Sequence, residues 1–236
     1  MDKRKKYYIV LDTETANEIP DQLVYDLGFV VTDKQGNIYE RYSFVISDIF
    51  INEKELMKTA YYSEKLPQYY EGIKNKEWIC CTLHQAQIII KQVMTQYNIS
   101  AVLAYNMNFD RTALTNTQRY ITKSKYRYFF PYGTEFQCIW HMACQVLCTQ
   151  TTYLKWAIEN NKMSPSGKFI STSAETVYQY LSCQDDFAES HTGLEDVLIE
   201  TQIFARCVRQ HKKMDKNINR LCWRIPTQKA KELGLL

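Results

Sequence analysis

The chain opens with short apolar blocks rather than long helical stripes. Residues 7–11 (Tyr-Tyr-Ile-Val-Leu) form a continuous apolar run, which predicts a strand buried on both faces. Residues 23–32 and 38–46 alternate or run apolar, and the loop between them holds Gly36 and Asn37. Both are good turn formers, so the two runs predict an antiparallel hairpin. From about residue 52 to residue 97 the pattern turns helical, with Leu83, Gln87, Ile88 and Val93 recurring at roughly helical spacing. Residues 101–105 (Ala-Val-Leu-Ala-Tyr) predict a fourth buried strand. Asn108 then offers a cap for a helix starting at Phe109. Further helices are expected at residues 140–147, in short pieces around 153–157, Phe169 and 174–181, and strongly from after Thr192 to about His211. Strands first, then helices alternating with a further strand, is the pattern of a mixed sheet with helices on its faces. Neither internal repeats nor a low-complexity linker break the chain, so one domain is expected over residues 1–236.

Composition narrows the class. Of 236 residues, 45% are apolar and 23% charged, which fits a globular protein and not a disordered one. No stretch approaches the roughly 20 apolar residues of a membrane span. No signal-peptide pattern follows the basic start. Eight cysteines without a secretion signal imply reduced thiols and a cytoplasmic setting, and they are expected to be buried and inert. They lack zinc spacing; His141 with Cys144 is the nearest approach to a ligand pair and has no second pair. A net charge of +3 does not announce a nucleic-acid binder, although basic residues cluster at Lys3, Arg4, Lys5 and Lys6 and again from Arg209 to Arg220.

Chemistry concentrates in the acids. Asp12 and Glu14 end the first strand two residues apart. Alternation along a strand points both to one face, where two carboxylates repel unless a cation lies between them. Asp110 falls in the first turn of the helix after the fourth strand, where the helix dipole alone could account for it. Asp196 falls in the opening turn of the last strong helix, whose Thr192 and Glu195 match a capping box. His191 precedes that cap, which puts it on a loop, free to swing over a substrate as a general base.

Taken together, these residues resemble the DEDDh exonucleases, the DnaQ-like group with a ribonuclease H-like fold. Asp12 and Glu14 match its first motif, Asn106, Phe109 and Asp110 its second, and His191 and Asp196 its third. A Tyr in the third motif would have pointed to the DEDDy sister class. The resemblance implies an α/β fold with a five-stranded mixed sheet, the first three strands antiparallel, flanked by helices. It places the fifth strand at about residues 136–139, with helical insertions at about 48–98 and 148–188. It also implies two Mg²⁺ or Mn²⁺ ions held by Asp12, Glu14, Asp110 and Asp196. Asp12 would bridge both ions, and His191 would take the proton from the attacking water. The implied activity is 3′→5′ removal of nucleoside 5′-monophosphates from single-stranded nucleic-acid ends, DNA ahead of RNA, with a polymerase as a candidate partner.

Thr13, Thr15, Asn106 and Phe109, inside or beside the motifs, become the expected substrate contacts. Thr15 is followed by Ala16 where many relatives have Gly, so sugar contacts are expected to differ. Tyr61, Tyr62, Tyr105 and Phe109 are candidates for stacking on terminal bases. Three other readings stay open. One is an RNA-directed member of the same family. Another is a nucleic-acid-binding protein that kept the fold without the chemistry. The last is a phosphatase with an aspartate nucleophile, for which Glu14 is one methylene too long.

Overall fold

A computed structural model describes residues 4–236, so Lys3 of the N-terminal basic run lies outside the described residues. Its core is a mixed sheet. Strands β1 (Tyr7–Ala16), β2 (Leu23–Asp33) and β3 (Ile38–Ile46) form an antiparallel meander, as their apolar runs and the Gly36 turn predict. β5 (Ala101–Ala104) lies parallel to β1 on its other side, and β6 (Phe136–Cys138) parallel to β5. The sixth strand, β4 (Ile79–Cys81), pairs parallel with β3, giving the order β4-β3-β2-β1-β5-β6.

Six strands correct the expected five. β4 has only three residues, Ile79 and Cys80 are exposed, and neighbours of helical periodicity mask it. The expected helical stretch over residues 52–97 is accordingly broken. It contains α2 (Lys54–Met57), α3 (Leu66–Asn75), β4 and α4 (Leu83–Gln96), preceded by α1 (Ser47–Phe50). β6 falls within the span expected for the fifth strand.

Alternation sorts β1 between two apolar layers. Tyr7, Ile9 and Leu11 pack with Leu83, Ala86 and Ile90 of α4 and with Ala113 and Leu114 of α5 (Met107–Thr122). Tyr8 and Val10 pack on the opposite face with α6 (Ile139–Val146), α7 (Thr151–Glu159), α8 (Ala174–Ser182) and α9 (Gly193–Arg209). The central strand is therefore buried on both faces, and a polar side chain on it is costly unless it is used.

Three local expectations change. α5 starts at Met107 after Asn106, so Asn108 lies inside the first turn and not at the cap; its side chain accepts from Arg220 at 2.9 Å. Phe169 is not helical but sits beside an isolated bridge between Met163 and Ile170. A C-terminal helix, α10 (Arg224–Glu232), follows the basic stretch. Within that stretch the Lys216 carbonyl accepts from the Cys138 amide at 3.0 Å, so this segment covers the end of β6. Cys80 and Cys183 are exposed and the other six cysteines buried, so the expectation of buried thiols fails at those two. His141 Nδ1 lies 2.8 Å from the Asn217 carbonyl, so the ring is engaged with the chain itself.

Candidate active site

β1 and β5 run parallel and end at the same edge of the sheet. Two helices converge there from opposite faces. α5 follows β5 directly and carries Asp110 in its first turn. α9 crosses β1 and β2 with its first turn, which carries Asp196.

The close approach of α9 depends on two glycines. A Cβ on Gly28 of β2 would overlap the Gly193 carbonyl carbon and the Leu194 nitrogen, and one on Gly193 would meet the Gly28 nitrogen at 2.6 Å. Backbone thus packs on backbone, and any larger residue pushes the helix start off the sheet. Asp26, fully buried on β2, fixes this contact: its Oδ2 accepts the Gly193 amide at 2.9 Å and the Tyr69 hydroxyl at 2.7 Å. A carboxylate at a helix N-terminus is favoured by the unsatisfied amides there. This explains why the capping box is not completed. Thr192 is the cap residue, but its hydroxyl donates to Glu195 at 3.1 Å rather than accepting a helix amide.

The resulting cavity, about 330 Å³, is lined by Asp12, Glu14, Asp110, His191 and Asp196, with Asn106 and Phe109 at its wall. Two acids that sequence reasoning missed join them, Glu189 and Glu200. Glu200 lies one helical turn beyond Asp196 on α9, is buried, and accepts the Tyr105 amide at 3.0 Å. Its spacing of four from Asp196 was the available signal.

Burial dominates the electrostatics. It pushes Glu14 up to about 9, with Asp26, Asp196 and Asp110 adding repulsion and Lys65 relieving it. Asp110 and Asp196 are each pushed up to about 7 by burial, although Thr13 donates to Asp110 at 2.9 Å and the His191 amide donates to Asp196. Asp12 and Glu200 lie well above the usual carboxylate range, through burial and then the charge of Asp110. Glu189 rises to about 8, again chiefly through burial.

His191 sits on the loop before α9 with a positive φ of 51°. Its ring stacks on Tyr62 with centroids 4.1 Å apart and planes 10° apart. Lys65 lies over the other partner of that stack, 5.4 Å from the Tyr62 centroid, and donates to the Ser190 carbonyl. Burial and the nearby Lys65 charge lower the His191 pKa, against the opposing charges of Glu175 and Glu64.

Ligand atoms of Glu14, His191 and Asp196 lie within 4.8 Å of one another, and among the described residues no such tight group includes Asp12 or Asp110. Asp196 Oδ1 is buried without a hydrogen-bond partner. The two carboxylates and one imidazole of this group, with Asp196 Oδ1 unpartnered, could hold a divalent cation.

The remaining expected residues divide. Thr13 is buried, lines the cavity and donates its hydroxyl to Asp110. Thr15 lies past a break in register after Glu14 and is not among the cavity-lining residues. Tyr61 is exposed, whereas Tyr105 is buried and donates to the Thr172 carbonyl at 2.6 Å.

Neither a protein-family model nor a curated protein matches the sequence. Solved structures do match. A full-length 3′-exonuclease superimposes with a TM-score of 0.56 at 12% identity, over 93% of this chain and 89% of that one. The fold is similar to that of 3′-exonucleases. Exonuclease I of E. coli, in complex with an oligonucleotide, aligns over 98% of this chain with a TM-score of 0.52 at 14% identity. A moderately thermophilic exonuclease I from Methylocaldum szegediense aligns over 97%, with a TM-score of 0.50 at 16% identity. This chain spans 45% of the length of each of those exonuclease I chains.

Proposed function

We propose that the protein is a metal-dependent 3′→5′ exonuclease of the DEDDh type, acting on single-stranded ends, DNA ahead of RNA. The observation that carries this reading is the convergence of Asp12, Glu14, Asp110 and Asp196 with His191 on one cavity at the sheet edge. Asp12, Glu14, Asp110 and Asp196 would hold two Mg²⁺ or Mn²⁺ ions, and the unpartnered Asp196 Oδ1 fits that role. Bound there, the ions would acidify water and neutralise charge at the leaving oxygen.

The chain's own groups supply the rest. A neutral His191 accepts the proton of the attacking water, and its lowered pKa keeps it ready to do so at neutral pH. The rising limb of activity then falls below pH ~6.5, the value of free imidazole. Tyr62 holds the imidazole plane, while Thr13 holds the Asp110 carboxylate. Asn106 and Phe109 at the cavity wall bound the space for the terminal nucleotide. DNA is placed first because the E. coli exonuclease I of similar fold was solved with a dT oligonucleotide.

Asp12→Ala is expected to abolish Mg²⁺- or Mn²⁺-dependent release of mononucleotides from a 5′-labelled strand. The circular dichroism spectrum should not change, because removing a crowded buried acid relieves repulsion. A variant that keeps most of its activity would sink the proposal. Matched DNA and RNA oligonucleotides run beside each other decide the sugar preference.

A further inference from the structure

Away from the cavity, one stretch of the chain is unlike the rest. Residues 111–134 carry five of the 29 Lys and Arg residues (Arg111, Arg119, Lys123, Lys125 and Arg127) and none of the 26 acids. Without this stretch the chain would hold two more acids than bases; residues 206–231 are also basic, with nine Lys and Arg against Asp215. An ordinary solvated face mixes both signs.

The same stretch exposes aromatic rings. Tyr126 is 77% exposed, Tyr128 61% and Tyr132 fully exposed. Cations sit against two of them: Arg119 lies 4.9 Å from the Tyr128 centroid and Lys125 5.2 Å from that of Tyr126, while Arg111 lies 4.7 Å from that of half-buried Phe136. A groove of about 480 Å³ runs between α5 and this segment, walled by Arg111, Thr115, Tyr128, Phe130, Tyr132 and Phe136. Exposed rings interleaved with cations, with the Glu53 carboxylate reaching this face only at the Tyr120 hydroxyl, match a chain of bases joined by phosphates.

Placement ties this face to the cavity. Arg111 follows Asp110 on α5, and the helix rises about 1.5 Å per residue. Arg119 and Lys123 therefore lie roughly 14 and 20 Å along it from Asp110. At about 3.4 Å per stacked nucleotide, that is roughly four to six nucleotides.

We propose that the C-terminal half of α5 and residues 123–134 form a second binding surface for single-stranded DNA, holding the strand several nucleotides upstream of the end that enters the carboxylate cavity. The surface rests on the exonuclease reading only for where that end lies.

The test uses fluorescence anisotropy with 5′-labelled oligo-dT of three and of fifteen nucleotides, in chelator so that no hydrolysis intervenes. Replacing the three exposed rings together (Y126A, Y128A and Y132A) should weaken binding of the 15-mer at least tenfold and of the trimer less than twofold. Replacing Lys123 and Lys125 by Gln should reduce the salt slope of 15-mer binding by about 1.4, at roughly 0.7 per lost phosphate contact. Should the triple variant fail to fold, Y132A alone, altering a fully exposed ring, should still weaken the 15-mer about threefold.

Unchanged 15-mer affinity overturns the proposal, and so does an equal loss on trimer and 15-mer. A duplex that competes as well as the single strand, or a 15-mer of oligo-U that binds more tightly, overturns it too. Wild-type protein that binds the 15-mer through these residues yet releases no mononucleotide with Mn²⁺ leaves the surface standing and removes the nuclease reading. Hydrolysis with unaltered binding in the variants does the reverse.

Discussion

Withdrawing divalent cations while raising the pH loads the cavity with charge it cannot disperse. Asp110 and Asp196 are pushed up to about 7 in the fold, against 3.8 for free Asp. An acid whose folded pKa is raised contributes full stability below its unfolded pKa and loses it as pH rises through the folded value. At about 1.36 kcal/mol per pH unit, each acid alone costs the fold about 4 kcal/mol once ionised. The two share a site with Glu14 and Glu189, so protonating one relieves another and the costs do not add. A net loss of about 4 kcal/mol between pH 4 and 9 is the cautious figure, the window reaching pH 9 because Glu14 rises to about 9. His191 acts in the opposite sense, its lowered pKa costing stability only as pH falls below ~6.5. For a domain of this size 1 kcal/mol moves Tm by about 2–4 °C, so Tm in chelator should fall by about 8–16 °C from pH 4 to pH 9. On the metal-dependent reading proposed above, saturating Mg²⁺ should restore most of that loss, because an ion held only by the folded cavity stabilises that state. Thermal unfolding followed by circular dichroism measures both effects. A Tm constant within 2 °C across that range in chelator, or a fall that Mg²⁺ leaves untouched, refutes the electrostatic account of the cavity.

Two substitutions probe how the cavity is held. Gly28→Ala puts a Cβ into the Gly193 backbone, which cannot yield as a side chain would. It should destabilise the protein by about 1–3 kcal/mol in urea titration and cut activity more than tenfold by displacing Asp196; normal stability with normal activity would show that α9 does not depend on this contact. Tyr62→Ala removes the ring stacked on His191 and should lower kcat about tenfold with KM little changed, while Tyr62→Phe, which keeps the ring, should retain activity. Equal effects of the two would assign the role to the hydroxyl instead.

Much of the sheet, and the residues that meet in the candidate cavity, were legible in the sequence because they obey short-range rules. A period of two aligned Asp12 with Glu14 on one face of a buried strand, and continuous apolar runs marked β1 and β5. Short elements escaped: β4 has three residues and an exposed Ile79, too little for any period to register. What the sequence hid most completely was the second layer of acids. Asp26 reads as a stray charge inside an apolar strand, and Glu200 as the polar face of an amphipathic helix. Both acquire their roles from α9 lying against Gly28, a contact between residues 165 apart in the chain. That contact also accounts for the cap. The Gly193 amide is satisfied by Asp26 from the sheet, so Thr192 is released to donate to Glu195, and the local motif gives way to a tertiary bond. The same acid thereby fixes the first turn that presents Asp196. A local signal located this helix start correctly while a long-range carboxylate holds it, which makes Asp26 a structural support of the candidate site that no motif around Asp196 could have revealed.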